Sequence, residues 1–400
     1  FHLPFCRSLC WYCGCTTVTT SKQAASAEYM IYLEKEMALM AGLLNAERRV
    51  VQIHLGGGTP TFLMPDELRR LGELIDAQFA VSMDVEASVE IDPRRMSPQH
   101  VAALWEAGFR RASLGVQDFD PRVQEAINRY QSRDETWRAV QWLRNAGFDS
   151  VNLDLVYGLP HQTVETFSKT LDEAIALRPN RIAAFSYAHV PWLKPAQKRL
   201  ECLPPPETKL ALLALTVSRL TAAGFVHIGM DHFARANDEL AVAQRAKKLQ
   251  RNFQGYSTNG HADIYAFGMS SISQANGTYW QNLKTLPGYY HALEAGALPI
   301  GRACVLTGED KIRREVITRV MCDLDLDFAE MSRRLEIDFP AHFAAELASL
   351  ADLEADGLVE IRDTGLAVTE AGRFLIRVIA SRFDAYFAPT PEARQFSQTV

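Results

Sequence analysis

The segment Cys6-Arg7-Ser8-Leu9-Cys10-Trp11-Tyr12-Cys13-Gly14-Cys15 places four thiols within ten residues. Three follow the spacing CxxxCxxC, which lets a single loop wrap three thiolates around one corner of a small inorganic cluster. Thiolate is the usual ligand of iron–sulfur clusters. A four-iron cubane held by three cysteines keeps one iron open for a small molecule. A structural zinc site using all four cysteines is the competing reading, but zinc sites usually join two short knuckles a dozen or more residues apart. No second knuckle occurs here. Disulfides among these four would close very short, strained loops. Cys15 has three readings: contact with the cluster, contact with a substrate, or a spare thiol. Cys202, Cys304 and Cys322 are scattered, as core or surface cysteines usually are.

Further along, Gly56-Gly57-Gly58 follows the apolar run Val51–Leu55, and missing side chains there let backbone groups approach a ligand closely; a plain strand-end turn is the alternative. Glu90, Gln117 and Asp154 fall at or near the C-terminal ends of strand-like runs, where a β/α barrel collects its site. A structural ion pair is the alternative for each carboxylate. Arg129, taken alone, reads as a solvated surface arginine.

The elements that must position these residues are short β-rich runs alternating with helical runs. Strands are expected at Val51–Leu55, Ala87–Ile91, Arg111–Val116, Val151–Val156, Arg181–Tyr187 and Phe225–Met230, with Phe1–Leu3 as the tail of another. Helices are expected to start near Ala24, Asp66, Ser97, Asp134, Val164 and Pro206. Gly108, Gly147 and Gly224 each suit the left-handed position past a helix C-terminus. Ser132 with Glu135 reads as a capping box. Such alternation implies an α/β fold with parallel strands and crossover helices. A complete or partial barrel is expected, with a doubly wound open sheet as the alternative. Near Leu286 the pattern changes. Residues 309–352 look mainly helical, then Leu358–Ile361 and Leu366–Thr369 read as a hairpin around Asp363-Thr364-Gly365. A last helix is expected over Glu370–Tyr386. The expected division is a barrel domain over 1–285 and a smaller, mainly helical domain over 286–400.

Composition agrees with a folded protein of ordinary character: 400 residues, 48% hydrophobic, 22% charged. The net charge of −6 does not favour nucleic-acid or membrane-surface binding, which usually needs a basic face. No apolar run approaches the roughly 20 residues of a spanning helix. The crowded cysteines suggest a reducing compartment. The chain opens without Met inside an apolar run, as expected of a sequence that has lost its start.

The cysteine segment, with an aromatic residue just before its third cysteine, resembles the radical S-adenosylmethionine superfamily. The resemblance sharpens with Gly56-Gly57-Gly58-Thr59-Pro60-Thr61, Asn152-Leu153-Asp154-Leu155-Val156-Tyr157-Gly158-Leu159-Pro160, Gly229-Met230-Asp231-His232-Phe233-Ala234 and Arg251-Asn252-Phe253-Gln254-Gly255-Tyr256. These blocks are similar to the oxygen-independent coproporphyrinogen III oxidases, and the match runs on to Gln395-Phe396-Ser397. It implies a partial (β/α)6 barrel with a mainly helical C-terminal domain. It also implies a 4Fe–4S cluster on Cys6, Cys10 and Cys13, and S-adenosylmethionine contacts at Tyr12, Gly57, Gly58, Thr59, Glu90, Gln117, Arg129, Asp154, Ala188 and Ile272. Ala188 and Ile272 are expected to act through backbone or packing. The family holds two such nucleosides, and Cys15 would serve catalysis. A further contact, a tyrosine, is expected immediately before Phe1, with an N-terminal arm ahead of it.

The implied reaction is removal of hydrogen from the β-carbon of a propionate by a 5′-deoxyadenosyl radical, then loss of carbon dioxide and an electron. Two rounds convert coproporphyrinogen III to protoporphyrinogen IX. Implied partners are the porphyrinogen and a reduced flavodoxin-like or ferredoxin-like electron donor, for a cytoplasmic monomer. The four substrate carboxylates call for local cations, with Arg7, Arg110, Arg111, Lys194, Lys198 and Arg199 as candidates. Heme-binding chaperones of the same superfamily are an alternative, disfavoured by Cys15 and the Asn252–Tyr256 block. A zinc-stabilised binding module is an alternative of another class.

Overall fold

The computed structural model describes residues 1–260 and 262–387; Gln395-Phe396-Ser397 lies outside them. The chain forms two compact units. One comprises Phe1–Ala223 and Ala262–Val305, the other the described residues of Gly224–His261 and Leu306–Thr399. This division differs from the expected one at 285.

In the first unit six strands lie side by side in chain order: β1 (His2–Leu3), β2 (Arg49–Gly57), β3 (Ala80–Ile91), β4 (Arg111–Gln117), β5 (Ser150–Tyr157) and β6 (Arg181–Ser186). Every pairing between them is parallel. The helices α1 (Ala24–Ala41), α2 (Pro65–Gln78), α3 (Pro98–Glu106), α4 (Pro121–Ala126), α5 (Arg133–Ala146), α6 (Val164–Ala176) and α7 (Pro206–Ala222) fill the connections. This is the β/α repeat expected from the sequence. Helix α5 opens on the predicted box: the Glu135 amide donates to Ser132 Oγ and the Ser132 amide to Glu135 Oε2. It closes on Gly147 at φ +92°.

The strands alternate with period two. Ala87, Val89 and Ile91, Ala112, Leu114 and Val116, and Val151, Leu153 and Leu155 are all buried. The intervening Glu90, Ser113, Gly115, Asn152 and Asp154 are only partly buried. In register, Glu90 pairs with Ser113, Ser113 with Asn152, and Gly115 with Asp154. One face of the sheet therefore carries the core, and the other assembles polar groups in a row.

Three details depart from expectation. Strand β3 begins at Ala80 rather than Ala87, because Arg49 and Val50 pair with Ala80 and Val81. The Phe225 strand is not followed by a parallel partner; it turns back on His232–Arg235 as an antiparallel pair in the second unit. Residues 286–305 belong to the first unit because Ile300–Val305 completes a three-stranded sheet with Thr278–Asn282 and Ile272–Ala275. That sheet is tied to α1 by the buried carboxylate of Glu36. It accepts from the Gly268 amide (2.7 Å), Asn282 Nδ2 (2.6 Å) and the Tyr289 hydroxyl (2.6 Å).

The second unit packs the helix Gly308–Asp323 over a core that includes Val316, Val320, Phe328, Phe339, Phe343 and Phe383. The predicted hairpin is present as Val359–Arg362 against Gly365–Val368. The last predicted helix is shorter: a 3₁₀ turn at Gly372–Leu375 leads into Ile376–Ser381. Thr369 Oγ1 caps that turn through the Gly372 amide. Among the described residues no helix is long and apolar enough to cross a membrane.

Candidate active site

The cysteine loop leaves β1 and is zipped to the end of β2. The Gly58 amide donates to Leu3 O and the Thr59 amide to Phe5 O, both at 2.9 Å. The loop's two ends meet again as Phe5–Cys6 pairs with Val18–Thr19. Gly58 is required by space: an added Cβ would stand 2.6 Å from the Pro4 carbonyl. Gly57 has φ +113°, where a side chain is strained. From the other side, the Trp11 amide donates to Ile127 O (2.9 Å) and Asn128 Nδ2 to Leu9 O (2.9 Å).

The thiols of Cys6, Cys10, Cys13 and Cys15 line one cleft of about 440 Å³. Tyr12, Gly57, Gly58, Thr59, Glu90, Gln117, Arg129, Asp154 and Ala188 line it too. Ile272 does not; it lies in the three-stranded sheet, opposite Gln281. Arg129 is no surface arginine. It is buried, with Nη1 3.6 Å from Cys10 Sγ, Nη2 3.5 Å from Asp92 Oδ1 and 2.5 Å from Gly115 O. Arg94 adds a second guanidinium at 3.8 Å from the same sulfur. Burial works against ionisation of Asp92, but the charges of Arg129 and Arg94 outweigh it and hold the carboxyl at about 2.

The sulfurs differ in acidity. The hydrogen bond from the Cys15 side chain, with the charges of Lys194 and Arg129, pulls the Cys13 thiol down to about 6. Burial pushes Cys6 up to about 11. The carboxylates differ as well. Burial disfavours the Glu90 charge, but the His54 ring at 3.4 Å and the Gly57 amide at 3.1 Å prevail and lower its pKa. Burial and the nearby Glu90 charge raise Asp154 to about 6, although Ser113 Oγ and Asn152 Nδ2 both donate to it at 2.7 Å.

The donor set suits an anionic thiolate cluster. Three cysteines from one loop share a wall, one thiol is already acidic, and two guanidinium groups face the middle sulfur. The polar row opposite can receive a ligand carrying hydroxyl groups and positive charge.

The radical SAM superfamily model matches residues 1–174 and the HemN C-terminal domain model residues 306–375. An oxygen-independent coproporphyrinogen III oxidase of Synechocystis sp. is 44% identical across the whole chain and 87% of its own length. The chain belongs to the oxygen-independent coproporphyrinogen III oxidase family. The Escherichia coli member is 42% identical across the whole chain and 88% of its length. A solved structure described as coproporphyrinogen III oxidase (HemN) from Escherichia coli, a radical SAM enzyme, superimposes with a TM-score of 0.94. It covers 96% of this chain and 89% of that one. Membership brings a 4Fe–4S cluster and S-adenosylmethionine with it, and leaves the chaperone and zinc-module alternatives without support.

Of the expected cations, Arg7 lines the cleft and Lys194 reaches the Cys15 carbonyl (2.8 Å). Arg110 stacks 3.5 Å over Trp105, just before β4 begins, and neither it nor Arg111 lines the cleft. Arg94, Arg95, Ser113 and Gln197 line it without having been singled out. For the first two, the turn Asp92-Pro93-Arg94-Arg95 directly after strand β3 was the available signal.

Proposed function

We propose that this chain catalyses the oxygen-independent oxidative decarboxylation of two propionate side chains of coproporphyrinogen III to vinyl groups, giving protoporphyrinogen IX. The observation that carries this reading is one cleft joining three loop thiols to Glu90, Asp154 and Arg129, in a chain matched over its full length by such oxidases.

Cys6, Cys10 and Cys13 would hold the 4Fe–4S cluster. When bound, the cluster and the sulfonium nucleoside supply a 5′-deoxyadenosyl radical that takes hydrogen from the substrate. The chain's own work is to bind, orient and exclude water. Gly57 and Gly58 let backbone approach the methionine end of the nucleoside, with Tyr12 and Thr59 beside it. Glu90, held ionised by His54, suits ribose hydroxyls or an ammonium. Asp154, Gln117 and Arg129 offer further polar contacts, and Ala188 a backbone wall. These positions and Ile272 would divide between two nucleosides. Cys15, exposed on the same cleft beside the three ligands, would serve catalysis. Arg7 and Arg95 supply positive charge against the substrate carboxylates, while Arg94 is taken up by Asp92. The proposal extends to a cytoplasmic monomer reduced by a flavodoxin-like or ferredoxin-like donor.

Anaerobic incubation with coproporphyrinogen III, a reductant and S-adenosylmethionine tests the reaction by product mass. Loss of two carbon dioxide units is expected; an unchanged porphyrinogen mass would overturn the reading. Cys6→Ala, Cys10→Ala and Cys13→Ala should each abolish 5′-deoxyadenosine formation, whereas Cys15→Ala should keep the brown cluster and impair decarboxylation.

A further inference from the structure

Gln197 sits on a single 3₁₀ turn, Pro195–Arg199, beyond strand β6. The residue is 1% exposed. Nε2 donates to the Tyr12 carbonyl at 3.0 Å, 185 residues away, and to the Ala188 carbonyl at 3.2 Å. Oε1 accepts from the Val190 amide at 2.6 Å. Both amide hydrogens and the amide oxygen are therefore engaged, all with backbone. The flanking residues grip the same loop. Lys194 donates to the Cys15 carbonyl, and the Arg199 guanidinium lies 5.3 Å over the Trp11 ring. Inside the loop, between Cys10 and Cys15, the one backbone bond is Cys13 N to Cys10 O. Its conformation thus leans on this turn from one side and on Ile127 and Asn128 from the other.

We propose that Gln197 is a positioning residue that sets the distance between the cysteine loop and the nucleoside. One nitrogen holds two carbonyls, and they belong to Tyr12 and Ala188. The inference rests on the reading of these two positions as nucleoside contacts. A rigid planar amide with two hydrogens on one atom fixes the carbonyls relative to each other more tightly than two separate donors would. The amide that joins them is buried while both carbonyls border the cleft, so losing the donor frees the two backbones to part and to bond water instead.

Gln197→Glu tests this. The side chain keeps an acceptor for Val190, but ionised it cannot donate and protonated it donates one hydrogen to one of the two carbonyls, so the shared grip is lost in either form. Gln197→Asn, one methylene shorter, serves as the milder second variant. Hydrogen exchange of the metal-free protein should speed up by about tenfold in the peptide spanning Cys10–Cys15, as loss of one to two partly buried hydrogen bonds, each worth about 1 kcal/mol, predicts. After anaerobic reconstitution, iron content should equal the parent's. The KM for S-adenosylmethionine should rise about tenfold, with the KM for porphyrinogen unchanged. Parent-like loop exchange in both variants would overturn the role of Gln197. Faster exchange with unaltered nucleoside KM would overturn it too, by removing Tyr12 and Ala188 from the nucleoside site.

Discussion

Replacing Gly58 by alanine should disturb the cysteine loop through space alone. The added Cβ would lie 2.6 Å from both the carbon and the oxygen of the Pro4 carbonyl, and 2.8 Å from Phe5 O. Carbon contacts are comfortable from about 3.5 Å, so the two chains must part by nearly ~1 Å. All three obstructing atoms are backbone and none can rotate away. The same displacement stretches the Gly58–Leu3 and Thr59–Phe5 hydrogen bonds, both 2.9 Å now, beyond the useful range of about 3.5 Å. Overpacking contributes ~1–3 kcal/mol and each of the two weakened bonds ~1 kcal/mol, for an expected loss of ~3–5 kcal/mol. Gly14→Ala is the control in the same loop, since nothing lies within 4 Å of its Cβ position; its effect should stay within ~0.5 kcal/mol. Urea unfolding of the metal-free protein measures the stability difference, and iron per chain after anaerobic reconstitution measures the damage to the loop. If Gly58→Ala matched Gly14→Ala in both, the close approach of β1 and the end of β2 would not be what organises the ligands.

Two further predictions concern pH. Asp154 is raised from 3.8 to about 6, so the folded state holds the extra proton between these values, and the carboxylate opposes folding above about pH 6. Asp154→Asn should therefore stabilise by ~1–2 kcal/mol at pH 8, allowing for its open cleft face, and by little at pH 4; urea midpoints at both pH values check this, and a pH-independent effect would count against it. In the second unit burial lowers His227 from 6.5 to about 4, although its Nε2 bonds Met230 O at 2.9 Å. The unfolded chain then binds the proton first, so stability falls as pH drops from 6.5 toward 4, by ~3 kcal/mol at most. His227→Gln, which can keep the bond to Met230, should flatten that part of the stability–pH curve; an unaltered slope would refute the assignment.

Much of the site was legible because its signals are short. The CxxxCxxC spacing, the glycine run after an apolar strand, and carboxylates at strand ends are set by a few consecutive residues. So are the box at Ser132 and Glu135 and the left-handed Gly147. Covalent geometry and period-two alternation decide such features locally. The α/β class followed from the same alternation, repeated.

Position across long stretches of chain was a different matter. Arg129 reads as a surface residue until the end of α4 is seen against Cys10, 119 residues earlier. Gln197 carries no signal of its own; its meaning comes from carbonyls at Tyr12 and Ala188. Ile272 was assigned to the nucleoside by resemblance, yet its strand packs in a separate small sheet, off the cleft. The domain boundary moved because Ile300–Val305 pairs backward with Thr278–Asn282. By itself the sequence determined which groups could do the chemistry and the repeat that presents them. Only the tertiary structure decided which distant carbonyls, cations and strands close around them, because such partners are selected by strand register and burial rather than by spacing along the chain.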